Sequence, residues 1–227
     1  MRILIDIQGV QSEGSRTRGI GRYSLEIIKN IVREFPEHEI ILFSNAVLTD
    51  LRIDFQNELN HKNVTYFNWF APGSFDYMAN NKRKTKLATY LRSYVVSCLC
   101  PDVILMTSFL EGFSDDCLVD FDKDFLNIPI ISIFYDLIPL MNPDLYLNNN
   151  PDFAKYYKSK IRKLRKLDGL LAISQSAAEE AVEYLDFDPS NVYNISSACD
   201  NKIFNTTSDI TSNLTLDINS FTPYILY

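Results

Sequence analysis

Strand-length apolar runs recur along this chain with longer segments of helical period between them, and that alternation leaves few folds open. The runs fall at 3–7, 39–43, 64–67, 103–106, 130–134, 170–173 and 192–195. Several are apolar at successive positions, as strands covered on both faces must be. Between the first two, Ile28, Ile31, Val32 and Phe35 recur at i, i+3, i+4 and i+7, which turns one stripe of a helix toward a core. Further helices are expected over 82–100 and 153–167. A fourth opens at Ser176, where Ser176-Ala-Ala-Glu179 has the form of a capping box. This order of elements predicts an α/β fold, a Rossmann-like parallel sheet with helices on both faces.

Composition then narrows the function. With 227 residues the chain makes one large domain or one and a half. No apolar run approaches the roughly 20 residues of a membrane span. The net charge of −7 has the wrong sign for general attraction to a phosphate backbone, so no nucleic-acid partner is expected. Cys98 and Cys100 are one residue apart, Cys117 and Cys199 stand alone, and His38 and His61 are far from all of them. Zinc wants paired ligands, so no metal is expected. Met1-Arg-Ile-Leu-Ile-Asp6 runs straight into a strand without the layout of a secretion signal, which predicts a cytoplasmic protein with free thiols. The sequons at Asn63, Asn194, Asn205 and Asn213 then carry no meaning. After Phe204 the sequence turns polar. Residues 1–204 read as one domain, 205–221 as a linker, and 222–227, with Pro223-Tyr-Ile-Leu-Tyr227, as the first strand of a further domain.

Four segments can carry chemistry. After the first strand, a loop holds Gly9, Gly14, Gly19 and Gly21 with Arg16, Arg18 and Arg22 interleaved. In a doubly wound sheet a glycine loop at a strand's carboxyl end, opening a helix, presents amides to an anion or to hydroxyls. Gly19-Ile-Gly21-Arg-Tyr-Ser24 imitates a dinucleotide fingerprint, but Ser24 replaces the third glycine, the motif starts about ten residues too late, and the second strand ends without an acid for a ribose. Asp136, at the tip of the fifth strand, either orients a substrate hydroxyl or caps the loop before Pro139. Glu111, Asp115 and Asp116 sit after the fourth strand, as loop caps or as acids facing a divalent cation. Seven basic residues over 155–166 (Lys155, Lys158, Lys160, Arg162, Lys163, Arg165 and Lys166) oppose a stripe of Phe153, Tyr157, Ile161 and Leu164. That face is either solvated surface or a contact for anionic lipid.

Taken in order, Arg2-Ile-Leu-Ile-Asp-Ile-Gln-Gly9, Arg18-Gly-Ile-Gly-Arg-Tyr23, Phe109-Leu-Glu-Gly-Phe-Ser-Asp-Asp116, Tyr135-Asp-Leu-Ile-Pro-Leu140, Leu170-Leu-Ala-Ile-Ser-Gln-Ser176 and Ile195-Ser-Ser-Ala-Cys-Asp200 resemble the N-terminal half of a retaining glycosyltransferase of family 4. The likeness is to the bacterial mannosyltransferase-like subgroup that builds O-antigen and other surface polysaccharides. It implies half of a GT-B fold, in which this domain holds a glycan or lipid-linked acceptor and a second domain binds the nucleotide-sugar donor. The donor is a substrate, so no cofactor is implied. The resemblance places Gly19, Gly21, Arg22 and Tyr23 near the donor diphosphate and acceptor, with Glu111, Tyr135 and Asp136 around the sugar hydroxyls. Related enzymes often carry His where Tyr135 stands, so a histidine base does not transfer, whereas Asp136 keeps its match as the catalytic carboxylate. Implied is transfer of a hexose, such as mannose from GDP-mannose, at the inner face of the cell membrane, with this chain inactive alone. Two other classes fit the residues: a non-catalytic glycan- or protein-binding module and a nucleotide-cofactor oxidoreductase.

Overall fold

The structure, a computed structural model, describes residues 1–52, 55, 59, 61–71 and 82–197. Expectations for Cys199, Asn205, Asn213 and the 205–221 and 222–227 segments lie outside the described residues. Seven strands among them form one parallel sheet: β1 (Arg2–Asp6), β2 (Glu39–Asn45), β3 (Val64–Trp69), β4 (Val103–Met106), β5 (Ile130–Phe134), β6 (Gly169–Ala172) and β7 (Val192–Asn194). Their order is β3-β2-β1-β4-β5-β6-β7. The strand order reverses between β1 and β4, so a crevice opens beyond the carboxyl ends of those two strands, where doubly wound sheets bind ligands.

Alternate side chains along the strands feed two cores. Leu4, Phe43, Ile104, Met106, Ile130 and Phe134 lie in one, and Ile5, Ile40, Leu42, Leu105 and Ile133 in the other. A short helix α1 (Gln8–Gln11) follows β1, and α2 (Gly19–Glu34) covers the second core through Ile28 and Val32. The opposite face carries α3 (Lys82–Cys98), α6 (Pro151–Leu164) and α7 (Gln175–Leu185). Two single turns, α4 (Ile138–Met141) and α5 (Pro143–Tyr146), stand between β5 and α6.

Three expectations need correction. Helix α2 begins at Gly19, inside the glycine motif instead of after it, and α1 occupies part of the expected loop. The cap of α7 is Ser174, whose hydroxyl accepts from the Ala177 amide at 3.0 Å, so Ser176-Ala-Ala-Glu179 is not a capping box. This register turns Ala177, Ala181 and Leu185 into the core. The basic face over 155–166 is also less segregated than expected, because Lys160 is buried, 6% exposed, and paired with Asp120 at 2.9 Å.

Candidate functional site

The switch point is built from buried polar side chains on the β1, β2 and β4 tips. Asp6 ends β1 and accepts from the Gln8 amide at 2.9 Å while pairing with the fully buried Arg92 of α3. Gln8 is satisfied on all sides: it donates to the Leu118 carbonyl at 2.8 Å, and its own carbonyl accepts from the Leu118 amide at 2.8 Å and from Asn45 at 3.0 Å. Gln11 joins the Asn45 amide, at 2.8 Å, to the Thr49 carbonyl. A buried network bonded this densely rigidifies the backbone around it. Gly9 allows the close approach of α1 to β4, since a Cβ there would lie 2.8 Å from Thr107 Oγ1.

Above this floor the loop 12–18 folds onto the start of α2. A Cβ on Gly21 would stand 2.4 Å from the Ser15 carbonyl and 2.6 Å from that of Arg16, so only glycine lets the helix begin under this loop. Gly19 has open space around it, and the Gly19 and Ile20 amides have no acceptor among the described residues. They form the free positive end of a sixteen-residue helix. Arg18 and Arg22 flank it, both exposed, their side chains without an ion pair or hydrogen bond among the described residues. Amides and cations so arranged suit a negatively charged group.

Glu111 stands behind the loop, accepting from Ser12 at 2.9 Å, Ser15 at 2.6 Å and Ser108 at 3.0 Å. Asp115 lies 2.5 Å from the same Ser12 hydroxyl, whose single proton it shares with Glu111, and accepts from the Cys117 amide at 3.1 Å. These carboxylates hold the β1 and β4 loops together. The Tyr135 hydroxyl lies 2.8 Å from Ser24 Oγ and within 3.3 Å of the Ile20 and Thr107 carbonyls, so it braces the β5 tip against α2 and β4. Burial pushes its pKa well up, which keeps the phenol neutral. Its ring meets that of Tyr23 edge to face at 6.2 Å, and Tyr23 in turn donates to the Ser196 carbonyl at 2.5 Å.

Asp136 follows at the tip of β5, where Oδ1 accepts from the Ile138 amide at 3.0 Å, the loop-capping geometry. Its Oδ2 has no partner among the described residues. The Tyr23–Tyr135 contact thus brings the glycine motif and the strand-tip motif side by side, and Ser196 adds the motif that begins at Ile195. Of the expected site residues, Gly19, Arg22 and Asp136 keep groups open to a ligand, while Gly21, Glu111 and Tyr135 are engaged in holding the lip. Missed from sequence were Gln8, Gln11, Ser12, Ser15 and Asn45. Their signal was the presence of small polar and amide side chains directly beyond the strand ends.

No family model matches the chain. It is 34% identical over 203 residues, 87% of its length, to a serotype-specific mannosyltransferase WbdA of Escherichia coli, and 31% identical over 173 residues to another of that name. The chain spans about a quarter of the length of the curated relatives it matches, 24% and 21%. Among solved structures, a glycosyltransferase from Rickettsia africae ESF-5 superposes with a TM-score of 0.51 at 16% identity, over 90% of this chain and 45% of that one. That likeness is one of fold, a parallel α/β sheet of Rossmann type.

Proposed function

We propose that this chain, whose homologues are serotype-specific mannosyltransferases, forms the acceptor-side half of a GT-B glycosyltransferase that adds a hexose to a growing surface glycan. The observation that carries the reading is the 34% identity extending along 87% of the chain, far more of it than any one motif. The lip supports it. A departing nucleoside diphosphate gains charge in the transition state, and the Gly19 and Ile20 amides with Arg22 supply preorganised positive potential where the second domain would present it. Asp136, with Oδ2 open, orients the acceptor hydroxyl, and Tyr23 and Tyr135 set the spacing between the two. The donor is a nucleotide sugar, with GDP-mannose the first to test, and transfer proceeds with retention. Residues 1–204 are the domain, and 205–221 lead toward the donor half.

The same structure speaks against a dinucleotide enzyme. The turn directly after β1, where a pyrophosphate would lie, is filled by α1 and the bonded Gln8 side chain, and the glycine pair starts a helix thirteen residues beyond Asp6. No helix among the described residues is long and apolar enough to cross a membrane. Work at the inner membrane face would use surface contact through exposed basic residues such as Lys155 and Arg162.

In the complete enzyme, Arg22→Ala and Asp136→Asn should each reduce turnover by about tenfold or more, as loss of a charge-stabilising or orienting group does, with the fold unchanged by circular dichroism. Near-normal transfer by both variants would refute the assignment of these residues. Transfer from no nucleotide sugar, with retained oligosaccharide binding, would favour the non-catalytic module.

A further inference from the structure

The connection from β4 to β5, residues 107–129, contains no helix, although crossovers between parallel strands usually pack one against the sheet. Phe109, Leu118, Val119 and Leu126 of this segment fill the core. The layer above them, between α3 and α6, is left open as a cavity of about 550 Å³. Small-molecule sites occupy roughly 300–1,000 Å³. None of Gly19, Arg22, Tyr23, Tyr135 and Asp136 lines it, so it is separate from the lip.

Its charge is opposite to that of the chain. Seven lining side chains are basic and three acidic, on a polypeptide of net charge −7. Two of the acids are engaged within the protein, Asp124 is exposed at the rim, and one of the bases, Lys123, pairs with Asp168. Asp120 faces both Lys160, at 2.9 Å, and Lys163, so one negative charge answers two positive ones at the cavity floor. Asp122 accepts from the amides of Asp124 and Phe125. Around the rim, Lys155, Arg162 and Lys166 are exposed, their side chains without an ion pair or hydrogen bond among the described residues, and Lys86 lies over the Tyr90 ring at 5.7 Å. Cations converging from two helices on one hollow, with an uncompensated charge at its base, match a compact multivalent anion.

We propose that this cavity binds a phosphate ester, held by Lys155, Arg162 and Lys166 above the Lys160–Asp120–Lys163 cluster. The ester is either a free phosphorylated metabolite or the headgroup of an anionic lipid. Tyr90, on the cavity wall, shares a face of α3 with Leu87, Leu91 and Tyr94, all large and exposed. A lipid's hydrocarbon would meet that stripe when its phosphate entered the cavity.

The test uses the full chain. Calorimetric titration with glycerol 3-phosphate, and with glycerol as the control, reads the free ester. Sedimentation with phosphatidylglycerol-containing vesicles, and with pure phosphatidylcholine vesicles as the control, reads the headgroup. Arg162→Ala and Lys155→Ala should each weaken binding about fivefold to tenfold, whereas Lys158→Ala, exposed on the same helix but outside the cavity, should leave it unchanged. Specific loss in either arm supports the site and names the source of the phosphate. Leu87→Ser should weaken only the vesicle arm. Absence of binding in both arms, or equal loss in Lys158→Ala, would overturn the proposal.

Discussion

Two buried ion clusters lie on either side of Phe121, and they are built on different terms. On one side Arg92 pairs with Asp6, one charge for one, with the guanidinium 5.2 Å from the Phe43 ring and 4.2 Å from that of Phe121. Its Nε and Nη1 have no hydrogen-bond acceptor among the described residues, and the aromatic faces of Phe43 and Phe121 stand beside them. On the other side Asp120 answers both Lys160 and Lys163, and Phe121 forms part of the cavity wall beside them. The balanced cluster is closed and locks the β1 tip to α3. The unbalanced one sits at an opening, where its surplus charge can meet a ligand. Whether a buried charge belongs to architecture or to recognition is here legible from its stoichiometry and its access.

The sharpest way to break the contrast is Arg92→Ala, which strands the Asp6 carboxylate in the core. It should cost about 3–5 kcal/mol in urea unfolding. A loss no larger than that of a surface exchange would show that the pair does not hold the β1 tip. Asp120→Asn should cost less, about 1–3 kcal/mol, because Lys163 is half exposed and only one lysine loses its partner inside.

That variant also has a pH signature. Burial by itself would raise the Asp120 pKa, but Lys160 and Lys163 outweigh it and hold the carboxyl well below its ordinary value of 3.8. A carboxyl with a depressed folded pKa contributes stability above its unfolded value, and loses it as pH falls through the folded one. The gap in stability between the wild type and Asp120→Asn should therefore narrow below about pH 4. A gap that stays constant with acidification would mean that Asp120 is not ionised by its lysines. The smallest expected effect belongs to Phe121→Leu, about 1 kcal/mol from the lost cation–π contact, with the cavity side of the ring relaxed as well.

How far the sequence carried depended on range. The strands were legible to within one or two residues, because runs covered on both faces are apolar throughout, and Val103–Met106 and Ile130–Phe134 match their expected bounds. Helix α1 was hidden, being four residues long with two buried glutamines in place of an apolar stripe. Lys160 was misplaced among the solvated residues although Tyr156 and Leu164 stand four positions to either side of it, a spacing that puts it on the buried face. The Ser174 cap differs from Ser176 by two residues, and only packing of Ala177 and Ala181 decides between them. Arg92 and Asp6, 86 residues apart, and Tyr23 and Ser196, 173 apart, left no local signal, because partners so distant are chosen by the sheet order. For the same reason the glycine and arginine motif pointed to a ligand, while the serines that fasten it to Glu111 went unseen.

The central pairing of β1 with β4 joins Ile3 to Val103, positions 100 residues apart. At translation rates of about 5–20 residues per second, one flank of the first strand waits roughly 5–20 s on the ribosome before its neighbour is even synthesised. During that interval an apolar ribbon with open backbone donors is bare to the cell. For that window the solubility of the nascent chain cannot rest on the finished sheet.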